Sequence, residues 1–213
     1  MQLLASNLRK ETLDCVVIEV IDVLESFLVR RAVCGIEPTG LHAVFKRLWN
    51  DLDGKTSGNL VRKTIVDHKT VAWPTNEDFA ANISERQLYG SKIAPYLVAQ
   101  YDRHLGGDNP SVAPWLEHVL PKTPGLSWPG FSKEQHEKLV DTLSNLIPLS
   151  PTMNRELGNR AYVLKKPVYQ ADAMYKSARE FASMYDDWNP TTLKGRADQL
   201  AIWAVERWPH SPS

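Results

Sequence analysis

The chain has 213 residues, 43% hydrophobic and 23% charged, which is the composition of a folded protein rather than a disordered or fibrous one. Its 25 basic and 25 acidic residues cancel, so there is no overall positive field to indicate a nucleic-acid partner. Any such partner must be bound by a local patch. At roughly 100 to 200 residues per domain, the length predicts one domain or two small ones.

The sequence argues against membrane insertion and export. Residues 13–33 are the most apolar stretch, but they contain six charged side chains, so we expect no membrane partner. The N-terminus lacks the residue order of a secretory signal. The two cysteines, Cys15 and Cys34, are too few for a zinc finger, and buried thiols in a reducing cytoplasm explain them better than a disulfide. We therefore predict a cytoplasmic protein.

The first 105 residues have the apolar spacing of amphipathic helices. The predicted helices cover residues 12–31, 41 to about 52, 77–89 and 91 to about 104. Asn76 is the expected N-cap of the third, and Pro95 lies in the first turn of the fourth. Residues 1–105 are therefore predicted to form an N-terminal helical bundle.

Residues 106–130 are rich in proline and glycine, so long helices cannot persist there. Ser132 and Gln135 form a capping-box pattern, and Ser150 followed by Pro151 predicts the start of a helix that carries Asn154. In chain order we predict a strand over 115–120, a helix over 132–143, a strand over 145–149, a helix from 151, and helices over 171–185 and 193–208. These elements make up a second predicted domain, residues 106–213.

The sequence lacks several familiar catalytic signatures: the GxxxxGK[ST] phosphate loop, the GxGxxG fingerprint, the HExxH zinc helix and the GxSxG elbow. What remains is an ordered set of polar residues around the two predicted strands. Glu117 and His118 precede Val-Leu-Pro, Asn145 opens the second strand, and Asn154 follows on the next helix.

This order resembles the HNH, or ββα-metal, nuclease motif. More narrowly, EHVLP, SNLIPLS, NRELGNRAYVLKK and WNPTTLKGRADQLAIWAVERW resemble the C-terminal nuclease domain of GmrSD-type anti-phage restriction proteins. The upstream segment LESFLVRRAVCG is similar to the helical segment that precedes the nuclease in that family. The family includes effector nucleases of the phosphorothioate-based Ssp defence system, which the sequence does not separate from other members.

The resemblance implies a mainly α protein, a helical bundle carrying a small ββα-metal core with a two-stranded hairpin, that cuts or nicks phage or plasmid DNA. Family members carry an N-terminal nucleotide-hydrolysing domain with a DGQQR-like motif, which this sequence lacks. We therefore expect the chain to be the C-terminal portion of a larger protein whose N-terminal domain is a partner. A single active site of this type should nick one strand at a time.

Phosphodiester hydrolysis needs a metal ion and a base, and this residue set offers both. Glu117 and Asn154 carry hard oxygen ligands suited to Mg²⁺ or Mn²⁺, and Asn159 is a second candidate ligand. His118 would be the general base. By the resemblance, Asn145 would hold either the loop or the imidazole tautomer.

Neighbouring strand residues point to opposite faces, so Glu117 and His118 cannot both face one site from a regular strand. Either the strand ends or bulges there, or Glu117 binds the ion through its backbone or not at all.

A local positive charge accompanies the motif. Residues 144–179 contain six basic side chains against two acidic ones, and Arg155, Arg160 and Lys165 are the best candidates for contacts with a DNA backbone. Nothing resembles a base-reading element, so we expect weak sequence specificity.

Two rival hypotheses remain. A DNA-binding or interaction module on the same scaffold could have lost catalysis, and it would show no dependence on metal or on His118. A purely structural helical adaptor would place His118, Asn145 and Asn154 far apart.

Overall fold

The structure, a computed structural model, describes residues 2–52, 56–68, 70–108, 114–125 and 128–210. Within these ranges the chain forms α-helices and one two-stranded antiparallel sheet, which confirms the predicted mainly α fold with a small ββα core. The elements are α1 Gln2–Leu8, α2 Asp14–Val33, α3 Leu41–Asp51, α4 Gly58–Asp67, α5 Asn76–Glu85, α6 Ile93–His104, β1 Trp115–His118, α7 Lys133–Leu139, β2 Leu146–Leu149, α8 Pro151–Leu157, α9 Tyr162–Asp172, α10 Lys176–Met184 and α11 Pro190–Arg207.

The chain divides into two compact units. The first comprises residues 1–82 and 202–213, and the second comprises residues 83–201. The predicted boundary after residue 105 lies inside the second unit, and the last predicted helix contributes residues to both. The predicted domain boundary after residue 105 therefore does not coincide with the boundary between these compact units. The division into two domains at that residue stays a prediction.

The first unit is built on one apolar core beneath α2, α3 and α4. Its buried side chains are Val20, Val23, Phe27, Val44, Leu48, Leu52, Val61, Ile65 and Val71. Arg30 is fully buried and donates to the carbonyl oxygens of Pro74, Thr75 and Trp208. The Arg30 guanidinium therefore connects the residue after α11 to the loop before α5 through hydrogen bonds.

The second unit contains the hairpin and packs it against α9 and α10. Its core includes Val119, Leu120, Ile147 and Leu149 from the hairpin region. Further core side chains come from the surrounding helices and loops: Trp128, Leu157, Tyr162, Tyr169, Phe181, Trp188 and Leu193. The ladder pairs four residues of each strand, with Trp115 opposite Leu149 at one end and His118 opposite Leu146 at the other.

Several local predictions are confirmed. Ser132 caps α7 in a complete capping box with Gln135, and the Ser150 hydroxyl accepts from the backbone N–H of Met153 at the start of α8. Pro151 is the first residue of α8, as its fixed φ favours.

Other local predictions were wrong. The predicted helix over 171–185 corresponds to α10 but begins later, at Lys176, because Ala173 and Tyr175 have extended backbone angles, and its first two residues are the end of α9. Cys15 is exposed and Cys34 half-buried rather than buried, and neither forms a disulfide bond. Among the described residues, no helix combines the length and apolar character required to cross a membrane.

Candidate active site

The hairpin places His118 and Asn145 beside one another at the end of the sheet. β1 and β2 pair antiparallel with Glu117 opposite Ile147 and His118 opposite Leu146. The pairing continues one step further, because the N–H of Val119 donates to the carbonyl of Asn145 at 3.0 Å. A single turn of 3₁₀ helix, Leu143–Asn145, precedes β2. After β2, the chain continues into α8 with one residue between them.

Asn145 is fully buried and holds the loop that follows β1. Its Nδ2 donates to the carbonyl oxygens of Leu120 and Val140, each at 2.8 Å. Its Oδ1 accepts from the N–H of Leu120 at 2.8 Å and from the indole Nε1 of Trp188 at 3.1 Å. These contacts correspond to the loop-holding alternative, since the side chain that bonds the His118 imidazole is a different one.

That side chain is Asp141. Its Oδ1 lies 2.8 Å from Nε2 of His118. A carboxylate accepts hydrogen bonds, so Nε2 carries the proton and Nδ1 has a free lone pair that can accept one. Burial lowers the pKa of His118 below its ordinary value of 6.5, and the bond to Asp141 opposes this effect. The imidazole is therefore neutral at neutral pH.

The loop before α6 fixes Asp141 and covers the imidazole. The backbone N–H groups of Leu88 and Tyr89 both donate to the carbonyl oxygen of Asp141, at 2.9 and 3.0 Å. The ring of Tyr89 lies against His118 with centroids 4.2 Å apart. Lys122 approaches Asp141 Oδ1 at 3.5 Å and lies over the Tyr89 ring. The imidazole of His118, the carboxylate of Asp141 and the exposed ammonium group of Lys122 thus form one cluster.

Glu117 lies on the other side of β1 in a buried network. Its Oε1 accepts from Nζ of Lys165 at 2.6 Å and from the hydroxyl of Tyr169 at 2.8 Å. Lys165 also donates to the carbonyl oxygens of His118 and Val119. Burial raises the pKa of Glu117, and the ion pair with Lys165 opposes that rise. Both hydrogen bonds use Oε1, so Oε2 takes part in neither.

One open cavity of about 650 Å³ brings the predicted residues together. Glu117, His118, Asn154 and Asn159 all line it, together with Lys122. Asn154 lies in the middle of α8. This helix follows β2, is capped by Ser150 and packs beside β1. The structure thus gathers the predicted base and the three predicted ligands around one space, as a site requires.

The donor set around this cavity fits a hard divalent cation. Asn154 and Asn159 carry amide oxygens, a ligand type that Mg²⁺ and Mn²⁺ accept, whereas the carboxylate of Glu117 is bonded to Lys165 and Tyr169. Within the described ranges, no group of three or more His, Cys, Asp and Glu side chains could hold a metal ion.

The three predicted DNA-backbone residues differ in accessibility. Arg155 and Arg160 are exposed on α8 and just after it. The prediction for Lys165 was wrong, because its side chain is 0% exposed and its ammonium group bonds Glu117 and two carbonyl oxygens. Lys165 supports the end of β1 and cannot reach a phosphate from this position.

Sequence reasoning missed Asp141 and Arg196. Asp141 lies in the turn after α7, and no motif spacing links it to His118. Arg196 of α11 is buried and donates to the carbonyl oxygens of Ser144 at 2.6 Å and Leu146 at 3.1 Å, which holds the start of β2. A signal for Arg196 was present, since it belongs to the C-terminal run that resembles the family, but helix periodicity alone assigns it to a surface.

The fold and the site define a helical protein with a nuclease-type hairpin and helix. The family model described as "GmrSD restriction endonucleases, C-terminal domain" matches residues 43–203. The chain belongs to this family, and its function is therefore that of a restriction endonuclease-type nuclease domain with DNA as the substrate. No curated protein and no solved structure matched the chain.

Proposed function

We propose that the second unit is an HNH-type DNA endonuclease in which His118 is the general base. The observation that carries the proposal is the cavity that His118 shares with Glu117, Asn154 and Asn159. A base and oxygen ligands within one space are what hydrolysis of a phosphodiester requires.

In this proposal, Asp141 orients the base and His118 takes the proton. Asp141 accepts the hydrogen of Nε2, so Nδ1 removes a proton from the attacking water. The imidazolium formed is then stabilised by the same carboxylate, as in other base and carboxylate pairs. Tyr89 limits the motion of the ring from one side.

Asn154, Asn159 and Glu117 would hold Mg²⁺ or Mn²⁺ beside the scissile phosphate. The bound ion supplies charge neutralisation of the phosphate and the leaving oxygen. Lys165 and Tyr169 hold the Glu117 carboxylate on the other side of β1, so Glu117 would contribute its backbone oxygen rather than its carboxylate. Asn145 and Arg196 position the hairpin without contacting the reacting atoms.

We further propose that Arg155 and Arg160 contact the DNA backbone, and that Lys122 adds a third contact at the cavity. All three carry exposed cations on this unit, and backbone contacts of this kind provide affinity without reading sequence. With one such site per chain, the product is a nick. The family resemblance extends the proposal to phage or plasmid DNA, to phosphorothioate-based defence, to an N-terminal nucleotide-hydrolysing partner domain and to the cytoplasm.

The test is incubation of supercoiled plasmid with the purified chain and Mg²⁺ or Mn²⁺, beside an EDTA control and the Asn154→Ala variant. We expect open circles from the wild type, none with EDTA, and a strongly slowed reaction with the variant. Cutting that persists in EDTA, or cutting by Asn154→Ala at the wild-type rate, would reject the proposed ion site. The inactive DNA-binding module is the alternative, and it predicts plasmid binding without conversion under every condition.

A further inference from the structure

The first unit contains a separate cavity of about 400 Å³ with basic and aromatic walls. α4 contributes Asn59, Arg62 and Lys63, and Trp73 and His210 complete the polar and aromatic lining. No carboxylate lines this cavity in the part of the chain that the structure describes. A concave space with cationic walls is typical of an anion site.

Arg62 is held in place although it has no acidic partner. Its guanidinium carbon lies 4.6 Å from the centroid of the Trp73 ring, and its Nη2 lies 3.2 Å from Nδ1 of His210. Because guanidinium only donates, His210 accepts through Nδ1 as a neutral ring. Among the described residues Arg62 forms no ion pair with a carboxylate, so its charge stays uncompensated.

The surroundings disfavour positive charge on Arg62 and His210. Burial lowers the pKa of Arg62. Burial, Arg62 and Arg30 lower the pKa of His210, and the opposite effect of Glu77 on His210 is smaller. Trp73 also carries a buried indole Nε1 with no acceptor among the described residues. An anion in this cavity would supply hydrogen-bond acceptors to Arg62 and compensate the charge of the cavity walls.

We propose that this cavity binds a phosphate group. The planar guanidinium matches two phosphate oxygens, while Lys63 supplies a second charge and Asn59 a neutral donor. The group can come from a free phosphate or nucleotide, or from the backbone of DNA. The site lies wholly within the first unit, so it does not rest on the nuclease chemistry of the second unit.

The test measures binding of three probes to the full chain by isothermal titration calorimetry: inorganic phosphate, deoxyadenosine monophosphate and a short DNA duplex. All proteins carry His118→Ala and the buffer contains EDTA, so the DNA stays intact. The test variant is Arg62→Gln/Lys63→Gln. The matched control is Lys46→Gln/Arg47→Gln, which removes the same charge from exposed positions on α3 of the same unit. Circular dichroism verifies that both variants are folded.

We expect the test variant to weaken binding at least about tenfold while the control changes it much less. Loss of binding for all three probes would identify the phosphate group itself as the ligand. A selective loss for the duplex would identify the DNA backbone as its source. The proposal is overturned if no probe binds at millimolar concentration, or if test and control variants weaken binding equally.

Discussion

At the residue scale, the chemistry of His118 depends on a carboxylate 23 positions away in the chain. The resemblance to the family motif predicted that His118 and Asn154 share a site, and both line one cavity, whereas Asn145 is fully buried and holds the loop after β1. Asp141 could not be predicted in this way. Its position depends on backbone hydrogen bonds from Leu88 and Tyr89, which only the folded chain brings close.

Replacing Asp141 by Asn should leave the fold intact and slow nicking by on the order of 100-fold or more. The amide can donate to Nε2, which favours the tautomer that carries its proton on Nδ1 and blocks the base. Single-turnover nicking measures the effect, with Glu137→Gln on the exposed face of α7 as the control. A rate for Asp141→Asn equal to that of the control would show that Asp141 does not orient His118.

The titration of His118 gives a second expectation. Burial lowers its pKa, so protonation should have its midpoint below 6.5. Because the folded value lies below the unfolded one, this group's contribution to stability is lost as the pH falls below about 6.5. Nuclear magnetic resonance of the imidazole, recorded without divalent ions, measures the midpoint. A value at or above 6.5 would contradict the burial that the structure describes.

Lys165 gives a third expectation, about stability. Lys165→Met should lower the free energy of unfolding by about 3 to 5 kcal/mol, because Glu117 would be left buried without its partner. Urea denaturation measures the loss. The double variant Lys165→Met/Glu117→Leu should regain part of it, since no unpaired charge then remains. A single variant as stable as the wild type would show that the pair is not buried in solution.

At the scale of elements, sequence patterns were most informative where a local signal acts alone. The capping residues of α7 and α8 and the hairpin strands were predictable from short-range chemistry. The separation of α9 from α10 was not, because apolar residues continue across the break and tertiary packing decides it. The role of Asn145 also depends on tertiary packing, because its side chain forms four hydrogen bonds, to Leu120, Val140 and Trp188.

Two asparagines of the ββα element should respond differently to alanine. Asn145→Ala should cost at least about 2 kcal/mol of stability, because it leaves buried backbone groups and an indole unpaired. Asn154→Ala should change stability by less than about 0.5 kcal/mol, since the side chain is only half-buried. Thermal unfolding measures both, and equal losses would contradict the assignment of one to structure and the other to the cavity.

At the scale of the whole molecule, the net charge is zero, but two regions contain local concentrations of basic residues. Arg155 and Arg160 lie in the second unit, and Arg62 and Lys63 line a cavity of the first. Apolar periodicity and the family resemblance predicted a mainly helical protein, but they could not predict the division into units. Residues 202–210 belong to the same compact unit as the N-terminal residues, although they are far from them in the sequence.

The central claim is that His118 is the base of a metal-dependent nuclease site. The most direct measurement compares plasmid nicking by the wild type, His118→Ala and His42→Ala, each purified identically and assayed with Mg²⁺. His42 is an exposed residue of the first unit and serves as the matched control. The account predicts nicking by the wild type and by His42→Ala, and a loss on the order of 100-fold or more with His118→Ala. Equal nicking by His118→Ala would contradict it.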